Sequence, residues 1–156
     1  MTDFKPKIAI SVGDLNGIGI EISLKCHEKI SKICTPIYCI NNKMLKLAAK
    51  ELKTEIPNDF EIFKTKGEFE IKAGTVTKKA GKYSYDSFMD AINLAKNKEV
   101  DAICTLPINK EAWNKADIKY KGHTEVLRDF FGKNAIMMLG CKKMFVGLFT
   151  EHIPLK

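Results

Sequence analysis

Between Lys7 and Cys104 the chain alternates short β-branched apolar runs with stretches of helical periodicity. That alternation restricts it to an α/β fold, a mostly parallel sheet with helices on both faces. The first unit is the most informative. Lys7 to Val12 (KIAISV) runs into Gly13-Asp14-Leu15-Asn16-Gly17-Ile18-Gly19, and a helical pattern follows from Ile20 to Ile33. Strand, glycine turn and helix make the opening half of a βαβ unit. Backbone N–H groups at such a helix start can hold an anion. The loop is neither of the familiar nucleotide motifs, because Ile22 stands where the dinucleotide fingerprint has its third glycine and no Lys-Ser/Thr follows the last glycine. A phosphate role and a packing role for these glycines both stay open.

Pro36 to Asn41 (PIYCIN) reads as the second strand. Asn41 or Asn42 can cap a helix from Lys43 to Leu52, whose Leu45, Ala48, Ala49 and Leu52 share a face. Phe60 to Gly81 is less regular and reads as short antiparallel pieces or a flap. Ser84 or Asp86 is expected to cap a helix carrying Phe88, Ala91, Ile92 and Ala95, which leads to the strand Val100 to Cys104. Beyond it, Leu106-Pro107 breaks the strand, Asn109 to Ala116 makes a short amphipathic turn or helix, and Gly122 precedes a helix through Phe131. Asn134 to Gly140 and Met144 to Thr150 form strands of a hairpin.

With 156 residues, 45% hydrophobic and 29% charged, the chain has the composition of a globular protein and enough length for one respectable core. No apolar run approaches the roughly 20 residues of a membrane span, and Met1 to Lys7 leads directly into a strand, so a cytoplasmic location is expected. The five cysteines show no C-x-x-C pair and mostly sit in apolar segments, which predicts reduced, buried thiols. The net charge of +7 comes almost wholly from lysines spread along the chain, Arg128 being the only arginine. Nucleic-acid surfaces cluster Arg and Lys with stacking aromatics, so no nucleic-acid partner is expected.

The residues that could carry chemistry lie at strand ends. Val100 to Glu125 passes from an apolar strand through a proline turn to Gly122-His123-Thr124-Glu125, and the next strand pair ends in Thr150-Glu151-His152-Ile153-Pro154. His123 and Thr124 offer a ring nitrogen and a hydroxyl at a helix mouth, suited to a carboxylate or phosphate. The structural alternative is that Thr124 caps the helix while His123 packs. His152 precedes Ile-Pro, which is expected to hold it in an extended or turn conformation. One histidine is not a metal site, since catalytic zinc-type sites take about three protein ligands. His27 lies inside a helix with no partner motif and is given no function.

Gly13-Asp14-x-x-Gly17-Ile18-Gly19, Thr105-Leu106-Pro107-Ile108-Asn109-Lys110, Gly122-His123-Thr124-Glu125 and Thr150-Glu151-His152-Ile153-Pro154-Leu155 occur in an order that resembles the 4-hydroxythreonine-4-phosphate dehydrogenase family of pyridoxal phosphate biosynthesis. The family's second motif has a glycine where Leu106 stands. The resemblance implies an isocitrate/isopropylmalate-dehydrogenase-like fold of two α/β lobes, usually a homodimer, of which this chain would be the amino-terminal portion: residues 1–104 in the first lobe and 105–156 opening the second. It implies NAD or NADP and a divalent metal ion (zinc, magnesium or cobalt) as cofactors, a small phosphorylated amino-acid substrate, His123 and Thr124 as substrate-binding residues, and His152 as one of three metal-binding histidines. The activity it implies is oxidative decarboxylation of 4-phosphooxy-L-threonine to 3-amino-2-oxopropyl phosphate. Related alternatives are a dehydrogenase of a phosphorylated four-carbon sugar acid and a phosphate acyltransferase of the same fold.

Overall fold

The computed structural model describes residues 4–148. The chain divides into two compact units, residues 1–121 and 122–156. In the first, β1 (Lys7–Ser11), β2 (Thr35–Cys39), β3 (Ile62–Phe63) and β4 (Ala102–Thr105) form one parallel sheet in the order β3-β2-β1-β4. Four helices accompany it: α1 (Gly19–Ile30), α2 (Asn42–Glu51), α3 (Lys78–Lys96) and α4 (Lys110–Lys115).

Successive strand residues point to opposite faces of a sheet, and the burial follows that rule. Ile10, Tyr38 and Ile40 join Leu24 of α1 and Met44, Leu45 and Ala48 of α2 in one buried cluster. Ala9 and Cys39, one residue out of phase, join Ala91 and Leu94 of α3 and Val100 in another. Helices therefore cover both faces, as the strand–helix alternation predicts. Each fully buried Ile, Leu or Met contributes about 1.5–3 kcal/mol relative to exposure, so these two clusters hold the sheet. Tyr38 stacks on Phe60 at 3.8 Å between ring centroids.

His27 is a core residue of this unit. It is buried, with the Tyr38 hydroxyl 3.0 Å from Nδ1 and the Ser31 hydroxyl and Asp59 Oδ1 at 3.2 and 3.1 Å from Nε2. Asn41 caps α2, accepting from the Met44 N–H at 2.9 Å while its Nδ2 donates to the carbonyls of Thr65 (2.9 Å) and Gly67 (2.8 Å).

Three expectations are corrected here. The third helix is capped by Thr77, which accepts from the Ala80 N–H, and begins at Lys78, ahead of Ser84 and Asp86. Gly81 and Ser84 look like breakers in the sequence but serve a helix contact. A Cβ on Gly81 would lie 2.0 Å from the Ala112 carbonyl oxygen, so the glycine is the groove into which α4 packs. The Ser84 hydroxyl donates to the Gly81 carbonyl at 2.9 Å and accepts from Trp113 Nε1 at 2.7 Å. The irregular region yields one two-residue strand, Ile62–Phe63, and it pairs parallel to β2. Cys34 and Cys39 are buried as expected, whereas Cys104, on edge strand β4, and Cys141 are exposed.

In the second unit α5 (His123–Phe131) ends at Gly132, whose φ of +58° is the left-handed cap that glycine adopts freely. β5 (Met138–Cys141) and β6 (Met144–Gly147) pair antiparallel as the expected hairpin, with Lys142-Lys143 at its turn.

Candidate functional site

From β1 the chain steps outward to β2 and β3 and then returns to place β4 on the other side of β1. The strand order reverses between β1 and β4, and in open α/β sheets ligands bind at such a switch point, beyond the carboxyl ends of the strands. Two motifs read separately in the sequence meet there. Leu106 N–H extends the ladder to the Ser11 carbonyl at 3.0 Å, and Asp14 N–H donates to the Pro107 carbonyl at 3.0 Å. Gly13 allows this approach: its φ is +67°, and a Cβ would sit 2.2 Å from the Pro107 oxygen. At Gly19 a Cβ would sit 2.5 Å from the Val12 oxygen.

Asp14 and Asn16 are both buried in this loop. The Asp14 Oδ1 accepts from the Asn16 N–H at 2.9 Å, and burial pushes the Asp14 carboxyl above its ordinary value. Asn16 reaches the turn Lys72–Thr75. Its Nδ2 donates to the Thr75 carbonyl (2.9 Å) and hydroxyl (3.3 Å), its Oδ1 accepts from the Lys72 N–H (2.9 Å), and its own carbonyl accepts from the Gly74 N–H (2.8 Å). No side chain caps α1, which leaves its positive end to whatever occupies the loop. Asn109 caps α4, accepting from the Ala112 N–H at 2.9 Å, and Lys110 opens that helix, exposed.

His123 and Thr124 are the first two residues of α5, and the cap is Gly122. The capping role open to Thr124 in the sequence therefore falls to its neighbour. Burial lowers the His123 pKa below its ordinary value, which makes the neutral imidazole the form present near neutral pH. His152 lies outside the described residues, and among the described residues no group of three or more His, Cys, Asp or Glu could hold a metal ion.

Residues 32–156 match the family model of the pyridoxal phosphate biosynthetic protein PdxA. The chain belongs to the PdxA family. Among its curated relatives, the 4-hydroxythreonine-4-phosphate dehydrogenase of Sulfurimonas denitrificans is 60% identical over 97% of this chain and 50% of its own length. That of Campylobacter fetus is 58% identical over 97% of this chain and 49% of its own. A crystal structure of a 4-hydroxythreonine-4-phosphate dehydrogenase from Burkholderia phymatum, 28% identical, superposes with a TM-score of 0.81 over 97% of this chain and 51% of its own. This PdxA chain thus spans about half the length of the relatives it matches. No helix among its described residues is long and apolar enough to cross a membrane.

Sequence reading missed Asn16 and the turn it holds. Asn16 was visible only as one polar residue among glycines, and Lys72–Thr75 lies 56 to 59 residues further on.

Proposed function

We propose that this chain supplies the amino-terminal half of an NAD-dependent enzyme that oxidises and decarboxylates 4-phosphooxy-L-threonine to 3-amino-2-oxopropyl phosphate in pyridoxal phosphate biosynthesis. The observation that carries this reading is the 60% identity, along 97% of the chain, to a protein named 4-hydroxythreonine-4-phosphate dehydrogenase. NAD or NADP would supply the hydride acceptor for the secondary alcohol, whose oxidation releases the hydroxyl proton and gives a β-keto acid that loses CO2. His123, neutral near pH 7 because of its burial, and Thr124 bind polar groups of the substrate at the start of α5, where the helix dipole favours an anion. His152 is one ligand of a divalent ion (zinc, magnesium or cobalt). When bound, such an ion stabilises negative charge on the reacting oxygen. A homodimer in the cytoplasm, acting on a small phosphorylated substrate with no nucleic-acid or membrane partner, completes the reading. The lobe division between residues 104 and 105 belongs to the same proposal, since it concerns the two lobes of the whole enzyme and not the compact units of this chain.

The test is NADH formation by the full-length gene product with 4-phosphooxy-L-threonine, with and without chelator, and with His152→Ala. Metal-dependent turnover lost in the variant supports the reading. Turnover of a phosphorylated four-carbon sugar acid alone, or chelator-insensitive acyl transfer to phosphate, would replace it with one of the two related activities.

A further inference from the structure

We infer that Asn16 is a positioning residue, whose side chain fixes the turn Lys72–Thr75 against the loop that follows β1, at the switch point where open α/β sheets bind their ligands. The inference rests on the proposed function for the identity of the ligand, but its geometry stands apart from that reading. Asn16 is 4% exposed, and both functional groups of its amide are engaged with a single target. Nδ2 donates to Thr75 and Oδ1 accepts from Lys72, while the Asn16 carbonyl takes the Gly74 N–H. The turn closes on itself as well, through the Thr75 hydroxyl to the Lys72 carbonyl at 2.7 Å. Yet Lys72, Ala73, Gly74 and Thr75 are all exposed.

The half-buried Ile71 anchors the chain to the core just before the turn, while the exposed turn itself has little to hold it in one place except the buried amide. The loop that carries Asn16 is itself fixed on its other side by Asp14 N–H to Pro107. Asn16 therefore joins three segments, the β1 loop, the β4 loop and the turn, into one rigid rim. A rim of that kind sets the affinity of a ligand seated at the switch point without contacting the reacting atoms. Preorganisation acts mainly by removing the ordering cost of binding.

The test uses the full-length gene product and two variants, with a third in reserve. Asn16→Ala removes both side-chain engagements, and Thr75→Val, at an exposed site, removes only the hydroxyl. For Asn16→Ala the expected result is a KM for 4-phosphooxy-L-threonine raised about tenfold with kcat within about twofold, together with faster hydrogen exchange at the Lys72 amide. Thr75→Val should move KM in the same direction by less. Unchanged KM in both variants, kcat and KM lost in step with the melting temperature, or unaltered exchange at Lys72 would each overturn the inference. If Asn16→Ala does not fold, Asn16→Asp, which keeps the acceptor for the Lys72 N–H and loses the donor to Thr75, decides: a raised KM supports the inference and an unchanged one overturns it. A wild-type protein that turns over no 4-phosphooxy-L-threonine would count against the proposed function, and exchange at Lys72 in Asn16→Ala would then decide the positioning role alone.

Discussion

Gly13 and Pro107 approach so closely that a Cβ on the glycine would stand 2.2 Å from the proline's carbonyl oxygen. The contact joins the ends of β1 and β4, and the Asp14 N–H to Pro107 bond next to it depends on the same approach. Gly13→Ala meets two costs at once: a left-handed φ of +67° and an overlap with backbone that no rotamer can relieve. Strain of the first kind alone costs about 1–3 kcal/mol. The variant is expected to lose at least about 2 kcal/mol, read from urea unfolding followed by the fluorescence of Trp113. An unshifted midpoint would show that the two strand ends are not held together as described.

The same substitution is expected to destabilise in α3 as well, although local propensity there points the other way. An exposed helical Gly→Ala change gains about 1 kcal/mol, so propensity alone predicts that Gly81→Ala stabilises. The Ala112 carbonyl, 2.0 Å from the site of the new methyl, reverses the sign, because it belongs to the backbone of α4 and cannot step aside alone. Calorimetry should show a lower melting temperature. A raised one would mean that α4 does not seat on Gly81.

The sheet and its helices could be read from the sequence because burial on both faces writes itself as apolar runs, and because Asn41 caps α2 by the ordinary side-chain rule. The start of α3 could not, since Gly81 and Ser84 are chosen by what α4 requires and look locally like breakers. At the candidate site, the motifs around Gly13 and Thr105 were each visible. Their meeting at the switch point follows from strand order, and order depends on pairings some 94 residues apart, such as Ile8 with Ala102. Asn16 was invisible as a clamp for the same reason. The position of His123 and Thr124 at the head of a helix was apparent from Gly122 and the periodicity after it. His152 lies outside the described residues.

Trp113 is buried, and its indole N–H donates to the Ser84 hydroxyl at 2.7 Å. Ser84→Ala takes away the acceptor and leaves the donor in a dry site, which costs about 1–3 kcal/mol. Ser84→Thr retains the hydroxyl and should lose less, subject to room for the added methyl. Since Trp113 is the only tryptophan, its emission reports the change directly: a shifted spectrum with reduced stability in Ser84→Ala is expected. Equal stability would assign the Trp113 anchor to ring packing alone, against Tyr85 at 5.5 Å and Phe88 at 6.5 Å.

His123 provides a pH test of the head of α5. Its desolvated imidazole has a folded pKa below the reference value of 6.5. As pH falls through about 6.5, the unfolded chain takes up a proton that the folded chain resists, so the unfolded state gains. The stability associated with this group is therefore complete above the unfolded pKa and declines as pH falls toward the folded one. Wild-type melting temperature should drop between about pH 7.5 and pH 5.5 by more than that of His123→Gln, which cannot charge. The difference between the two curves isolates His123 from the other histidines. Parallel curves would mean that the ring is solvated, and would remove the ground for treating it as a neutral substrate contact near pH 7.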